Sequence, residues 1–251
     1  MKKVILSIGI IATTVLNCYS QVESIVKVGT QIWMSKNLNV EKFRNGETIF
    51  YAKTDEEFQK AGENKQAAWC YYENNPENGI KYGKLYNWYA VIDPRGLAPK
   101  GWHIPKEAEW KTLENFLKTD LGIKMKNTNG WDSWKPDSLI DCSKCENWSS
   151  RFDRTETCSL CNNTLLIPNP EFKEQSGNGS NSSGFSGLPG GKSHADGGGF
   201  AMIGRGAYWW TSSRLETTNM AWSRCLFEFN PFLVTEYSKA EFGYSVRCVK
   251  D

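Results

Sequence analysis

The spacing of hydrophobic and polar positions changes several times along this chain, and each period predicts an element. Alternation from Val26 to Trp33 predicts a first strand turned at Gly29, and Trp33-Met34-Ser35-Lys36-Asn37-Leu38 leads into a second extended piece. Asn45-Gly46, flanked by Phe43 and by Ile49-Phe50, reads as a hairpin turn, because Asn and Gly tolerate the positive φ that tight turns need. Thr54 with Glu57 three residues on forms a capping box and predicts a short helix over 55–62. Trp69-Cys70-Tyr71-Tyr72 reads as a buried strand ended by Asn74-Asn75-Pro76. Leu85, Trp88 and Tyr89 stand at i, i+3 and i+4, one face of a helix over 84–91 that Asp93-Pro94 stops.

The longest helix is expected after Gly101-Trp102-His103-Ile104-Pro105. Pro105 suits a first turn, Glu107 and Glu109 suit the positive end of the dipole, and Trp110, Leu113 and Leu117 repeat on one face, with Phe116 widening the stripe. Residues 124–134 form a polar loop pinned by Trp131 and Trp134. Near the end, 221–229 alternates as a strand, 232–237 is its partner across Asn230-Pro231, and 242–249 is a last strand. Short strands, a few helices and long connections make an α+β domain. Its centre is expected in residues 181–213, where Phe185, Leu188, Phe200, Tyr208, Trp209 and Trp210 alternate with glycines. Burying each large ring contributes roughly 1.5–3 kcal/mol.

Residues 1–20 are read apart from this pattern. Lys2 and Lys3 precede an apolar run from Val4 to Leu16, and Cys18-Tyr19-Ser20 offers small residues before Gln21, the form of a secretory signal peptide. The rival readings are a lipid anchor on Cys18 and an uncleaved anchor. The remainder, 21–251, holds no later apolar run of transmembrane length. The formal net charge of +2 gives no field for nucleic acid or an anionic membrane. Eleven tryptophans point instead to an aromatic core, with rings left over for surface platforms.

Cys142-Ser-Lys-Cys145 and Cys158-Ser-Leu-Cys161 are two knuckles able to close a structural Zn²⁺ tetrahedron. Behind a secretory leader the same four thiols suit disulfides equally well. Both knuckles fall in 138–174, which reads as an insertion. Cys70, Cys225 and Cys248 remain: Cys225 and Cys248 lie on expected terminal strands and can pair, or all three are small buried residues. His103, beside Trp102 at a helix start, reads as structural.

Several ordered segments carry a resemblance. They are Trp33…Asn37-Leu38, Tyr82-Gly83-Lys84-Leu85-Tyr86-Asn87-Trp88-Tyr89-Ala90-Val91, Gly96-Leu97-Ala98-Pro99-Lys100-Gly101-Trp102-His103-Ile104-Pro105 and Glu109-Trp110. Ser183-Gly184-Phe185-Ser186-Gly187-Leu188-Pro189-Gly190-Gly191, Tyr208-Trp209-Trp210-Thr211-Ser212-Ser213, Ala221-Trp222 and 243–249 follow. Together they resemble the Fibrobacter succinogenes major paralogous domain, a family of secreted or surface proteins of Fibrobacter and Bacteroidetes-type bacteria. The resemblance implies a C-type-lectin-like fold, related to that of formylglycine-generating sulfatase-modifying proteins, and settles no activity. Two departures stand out: Lys106 takes the place of the usual Thr or Ser cap after Pro105, and the cysteine-bearing stretch is longer than usual. A lost cap costs roughly 0.5–2 kcal/mol unless another group replaces it.

Fold analogy makes a non-catalytic binding domain for an extracellular glycan or protein the leading expectation, working secreted, periplasmic or at the outer surface. Loops over 127–175 and 192–219 would carry it, with Trp131, Trp134, Trp148 and Arg205 as ligand-binding candidates. Asn75-Pro76-Glu77 and Asn169-Pro170-Glu171 resemble calcium-lectin sites only faintly. The alternatives are a structural or adhesive surface protein without a small-molecule site, and an oxidase resembling the formylglycine-generating enzymes. The oxidase needs paired cysteines near the C-terminal strands; Asp196, His194 and Arg205 around the glycine loop supply no nucleophile with a base.

Overall fold

A computed structural model describes residues 24–134, 175–194, 197–215 and 218–251. The expected leader over 1–20, with Cys18, and the insertion over 138–174 lie outside them. The opening alternation forms a hairpin: β1 (Ile25–Val28) pairs antiparallel with β2 (Gln31–Met34) across Gly29, whose φ is +62°. At Asn45-Gly46 the chain turns back so that Lys42 bridges Thr48. After β3 (Phe50–Tyr51), α1 (Asp55–Glu63) starts where Thr54 accepts from the Glu57 N–H. The reciprocal arm reaches one residue further back than a capping box predicts, Glu57 accepting from the Lys53 N–H at 2.6 Å.

The buried strand β4 (Ala68–Cys70) leads to a 3₁₀ turn and to α2 (Pro76–Tyr82), a helix where the sequence predicts only a turn. Asn75 caps it and Pro76 opens it, which suits the fixed φ of proline. The single helix expected over 84–91 is instead β5 (Leu85–Tyr86) followed by one turn, α3 (Trp88–Val91). Tyr86 exchanges both backbone hydrogen bonds with Tyr244, at 2.8 and 3.1 Å, and only at Asn87 does a side chain cap the turn. Tertiary pairing therefore overrides the i, i+4 signal.

Past β6 (Trp102–His103), α4 (Glu107–Leu117) buries Trp110, Leu113 and Leu117 as the stripe predicts. Phe116 does not widen it. Its ring is 58% exposed and lies over Gly29. Pro105 stands before the helix, and Lys106 has no acceptor to cap it. Ser213 Oγ accepts from the Glu107 N–H at 3.1 Å and the Glu109 carboxylate from the Lys106 N–H at 2.9 Å, so two groups replace the lost cap. After α5 (Leu121–Met125), β7 (Ser133–Trp134) pairs antiparallel with β8 (Gln175–Ser176).

The glycine-rich centre supplies β9 (Gly190–His194), β10 (Gly199–Ile203) and β11 (Gly206–Arg214), and β12 (Met220–Phe227) and β13 (Val234–Lys239) follow. They form a five-stranded sheet in the order β10-β9-β11-β12-β13, antiparallel except for β9 and β11. The expected last strand shrinks to β14 (Val249–Lys250), which enters the second sheet between β2 and β6. Upstream of it, Gly243, Tyr244 and Ser245 make single bridges to Ser193, Tyr86 and Trp209, tying the sheets together. The result is α+β, strand-rich with few helices.

Strand β11 divides the core. Tyr208 and Trp210 pack with Tyr244 on one side, while Trp209 joins Trp33, Trp110 and Phe185 on the other. In that second cluster the Trp33–Trp110 centroids are 4.8 Å apart and those of Phe185–Trp209 5.4 Å. Among these rings lies Arg247, 1% exposed, its guanidinium 4.4 Å from the Phe185 centroid. Asn37 Oδ1 accepts from its Nη2 at 2.7 Å and its Nε at 3.1 Å; the Met34 and Phe185 carbonyls accept from Nη1. The same Asn37 oxygen accepts from Trp209 Nε1, and its amide donates to Tyr82 O and Ser245 Oγ. A second buried arginine, Arg224, fastens β12 to α4 through Glu107 at 2.6 Å and through Glu114.

Candidate functional site

A groove of about 530 Å³ opens where α3, the loop behind it, β6 and the start of α4 meet. Its walls are aliphatic: Val91 from α3, Leu97 and Ala98 from the loop, Ile104 after β6, and Ala108 from α4. Val91, Leu97, Ala98 and Ile104 belong to the core on their other side, which makes the walls stiff. Ser212 closes one end. Its hydroxyl donates to Ile104 O and its N–H to Pro105 O, both at 2.9 Å, holding β11 against the segment between β6 and α4.

The polar groups converge on this groove already oriented. Arg44, next to the Asn45-Gly46 turn, donates from Nε to Ala98 O at 2.9 Å and from Nη2 to Trp102 O at 3.0 Å. Its side chain lies against Gly96, where the backbone has a φ of +81° and a Cβ would stand 3.4 Å from Arg44. His103 Nε2 is 2.6 Å from Glu109 Oε1, and its Nδ1 is 2.8 Å from Asp251 Oδ1. An imidazole with a carboxylate on each nitrogen satisfies both only as the imidazolium. Burial works against that charge, but the hydrogen bonds to Asp251 and Glu109 outweigh it and hold the His103 pKa above its ordinary value.

The residues singled out in the sequence are not brought together. Trp131 is buried, not exposed: its indole donates to Gly187 O at 3.0 Å and Lys126 Nζ sits 5.3 Å from the ring centroid. A ring covered on one face by an ammonium cannot serve as an open stacking platform. Trp134 is half-buried and meets Phe229 edge-on. Arg205, at the β10–β11 turn, pairs with the buried Glu228 at 2.8 Å. Trp148, the Zn or disulfide candidates Cys142, Cys145, Cys158 and Cys161, Asn169-Pro170-Glu171 and Asp196 lie outside the described residues. His194 sits at the far end of the β9–β10 hairpin from Arg205 and packs edge-on to Phe242, so the two do not form one site. Asn75 Oδ1 is spent capping α2, where it accepts from Glu77 N–H.

Cys70, Cys225 and Cys248 are free and buried, so of the two readings the structure has three small buried residues and no Cys225–Cys248 pair. Cys225 stands opposite Tyr208 and Val234 in the five-stranded sheet, whereas Cys248 precedes β14 of the other sheet. Burial pushes all three thiols up, that of Cys248 to about 12, and so holds them in the unreactive protonated form. Sequence reading places none of the groove's polar residues in a binding site: His103 reads as structural, Glu109 as a helix-dipole residue, Lys106 as a lost cap and Ser212 as a motif residue, while Arg44 draws no notice.

The Fibrobacter succinogenes major domain family model matches residues 26–250. Neither a curated protein nor a solved structure matches the chain significantly. Most motif residues named above lie in the core or bond within it: Phe185, Trp209 and Arg247 are buried, and Asn37 bonds to Arg247 and Trp209. The chain belongs to the Fibrobacter succinogenes major domain family.

Proposed function

We propose that this chain is a non-catalytic, C-type-lectin-like recognition domain that acts outside the cell, secreted or displayed on the surface. Its extracellular ligand, protein or glycan, docks in the groove between α3 and α4. The observation that carries this reading is the groove: aliphatic walls backed by the core, with a few polar groups held in place beforehand. The apolar leader with Lys2 and Lys3 supports the compartment. Among the described residues, the buried, protonated thiols of Cys70, Cys225 and Cys248 weigh against an oxidase, since that chemistry needs an accessible thiolate.

Ala108 is exposed on the groove wall, and Ala108→Trp fills the space without touching the core. Combined glycan and peptide arrays probed with both proteins test the proposal. Binding by the wild type and loss of at least tenfold in the variant, at unchanged melting temperature, is the expected result. Retained binding in the variant rejects the groove, and silence of the folded wild type on both arrays favours a structural or adhesive surface protein.

A further inference from the structure

We infer that the groove is shaped for a carboxylate flanked by aliphatic side chains, an acidic stretch of polypeptide; this rests on the groove being the binding site. The argument begins with charge. Arg95 is paired with Asp93 and Glu47, Arg205 with Glu228, and Arg224 with Glu107 and Glu114. Arg44 and Lys106 on the groove have no carboxylate within ion-pair distance among the described residues.

Arg44 is also immobilised. The Ala98 and Trp102 carbonyls hold Nε and Nη2, while Nη1 has no partner among the described residues. A guanidinium fixed by backbone oxygens keeps its full charge and loses little freedom when an anion arrives. The acidic groups nearby do not compete. Glu109 spends one oxygen on His103 and the other on the Lys106 N–H, and Asp251 is engaged by His103.

The walls decide the class of anion. Sugars are recognised largely by stacking on aromatic faces, and apart from the His103 imidazole no aromatic ring lines this groove. Val91, Leu97 and Ile104 suit Leu, Ile or Val beside the anchoring carboxylate. An Arg–carboxylate contact supplies direction as well as charge.

The test selects random heptapeptides from a display library on the full chain and remeasures enriched sequences by fluorescence anisotropy. Enriched peptides are expected to place Asp or Glu beside Leu, Ile or Val. Changing that acid to its amide, or Arg44→Gln in the protein, should weaken binding at least tenfold. Lys106→Gln, at an exposed position whose side chain has no partner among the described residues and whose backbone bonds are kept, should weaken it threefold or more without affecting folding. If Arg44→Gln and Lys106→Gln bind as the wild type does while Ala108→Trp does not, the groove stands and the acidic ligand falls. Indifference to all three variants rejects the groove itself. Enrichment of neutral or basic peptides, no enrichment at all, or binding of oligogalacturonate in place of peptide overturns the inference.

Discussion

Asn37→Ala is the sharpest probe of how this fold is held. The substitution removes the oxygen that accepts from Arg247 Nη2 and Nε and from Trp209 Nε1. It also removes the amide bonds to Tyr82 O and Ser245 Oγ. Hydrogen bonds to a charged group contribute about 1.5–3 kcal/mol each, so losing two from Arg247 costs about 3–6 kcal/mol. Burial pushes the Arg247 pKa down to about 9. Even so, at neutral pH the guanidinium stays charged and cannot escape the loss by releasing its proton. The assay is guanidinium-chloride unfolding followed by tryptophan fluorescence, run as a cycle with Arg247→Met and the double variant. The double variant removes the charge that Asn37→Ala strands, so the two losses should fall short of additive by at least 1 kcal/mol, on the order expected for contacting residues. Strict additivity, or a loss below about 1 kcal/mol for Asn37→Ala, would refute the idea that this amide solvates the buried Arg247 charge.

Three further outcomes are expected. Trp209→Phe should destabilise more than Trp110→Phe, because Trp209 Nε1 serves Asn37 whereas Trp110 Nε1 is buried without a partner; thermal unfolding of both compares them. Two groups give opposite pH trends. Lys126 is pushed down to about 8, first by burial, so the unfolded chain binds the extra proton above that pH and stability from this group rises from about 8 towards 10.5, a slope that Lys126→Met abolishes. His103 is raised above 6.5 in the fold, so its contribution is full below 6.5 and fades as pH climbs through the folded value; unfolding free energies of His103→Gln should show that fade removed. Finally, Cys70, Cys225 and Cys248 should resist iodoacetamide in the native protein and react in denaturant, read by peptide mass spectrometry; native labelling would contradict their burial.

Large rings made most of the core legible. Trp110, Leu113 and Leu117 repeat at helical spacing and are buried together, and Trp209 and Trp210 are fully enclosed, as their cost in water requires. Local spacing misled at Leu85 and Trp88, where backbone pairing of Tyr86 with Tyr244, far along the chain, decides the conformation. Trp131 reads as exposed because its sequence neighbours are polar, yet Lys126 and Gly187 cover it from elsewhere. The groove was the least legible part. Arg44 gains its direction from the carbonyls of Ala98 and Trp102, and no residue type announces where a main-chain oxygen will point.

The short ladder in which Ser133 faces Ser176 and Trp134 faces Gln175 brings two distant points of the chain side by side. Trp134 and Gln175 are thus paired neighbours, so a connection of any length between them starts and ends at one place. Closing a longer excursion there adds only about 0.6 kcal/mol for each doubling of its length. Exchanging the segment between 134 and 175 by design therefore leaves unchanged the two chain ends that any replacement has to join.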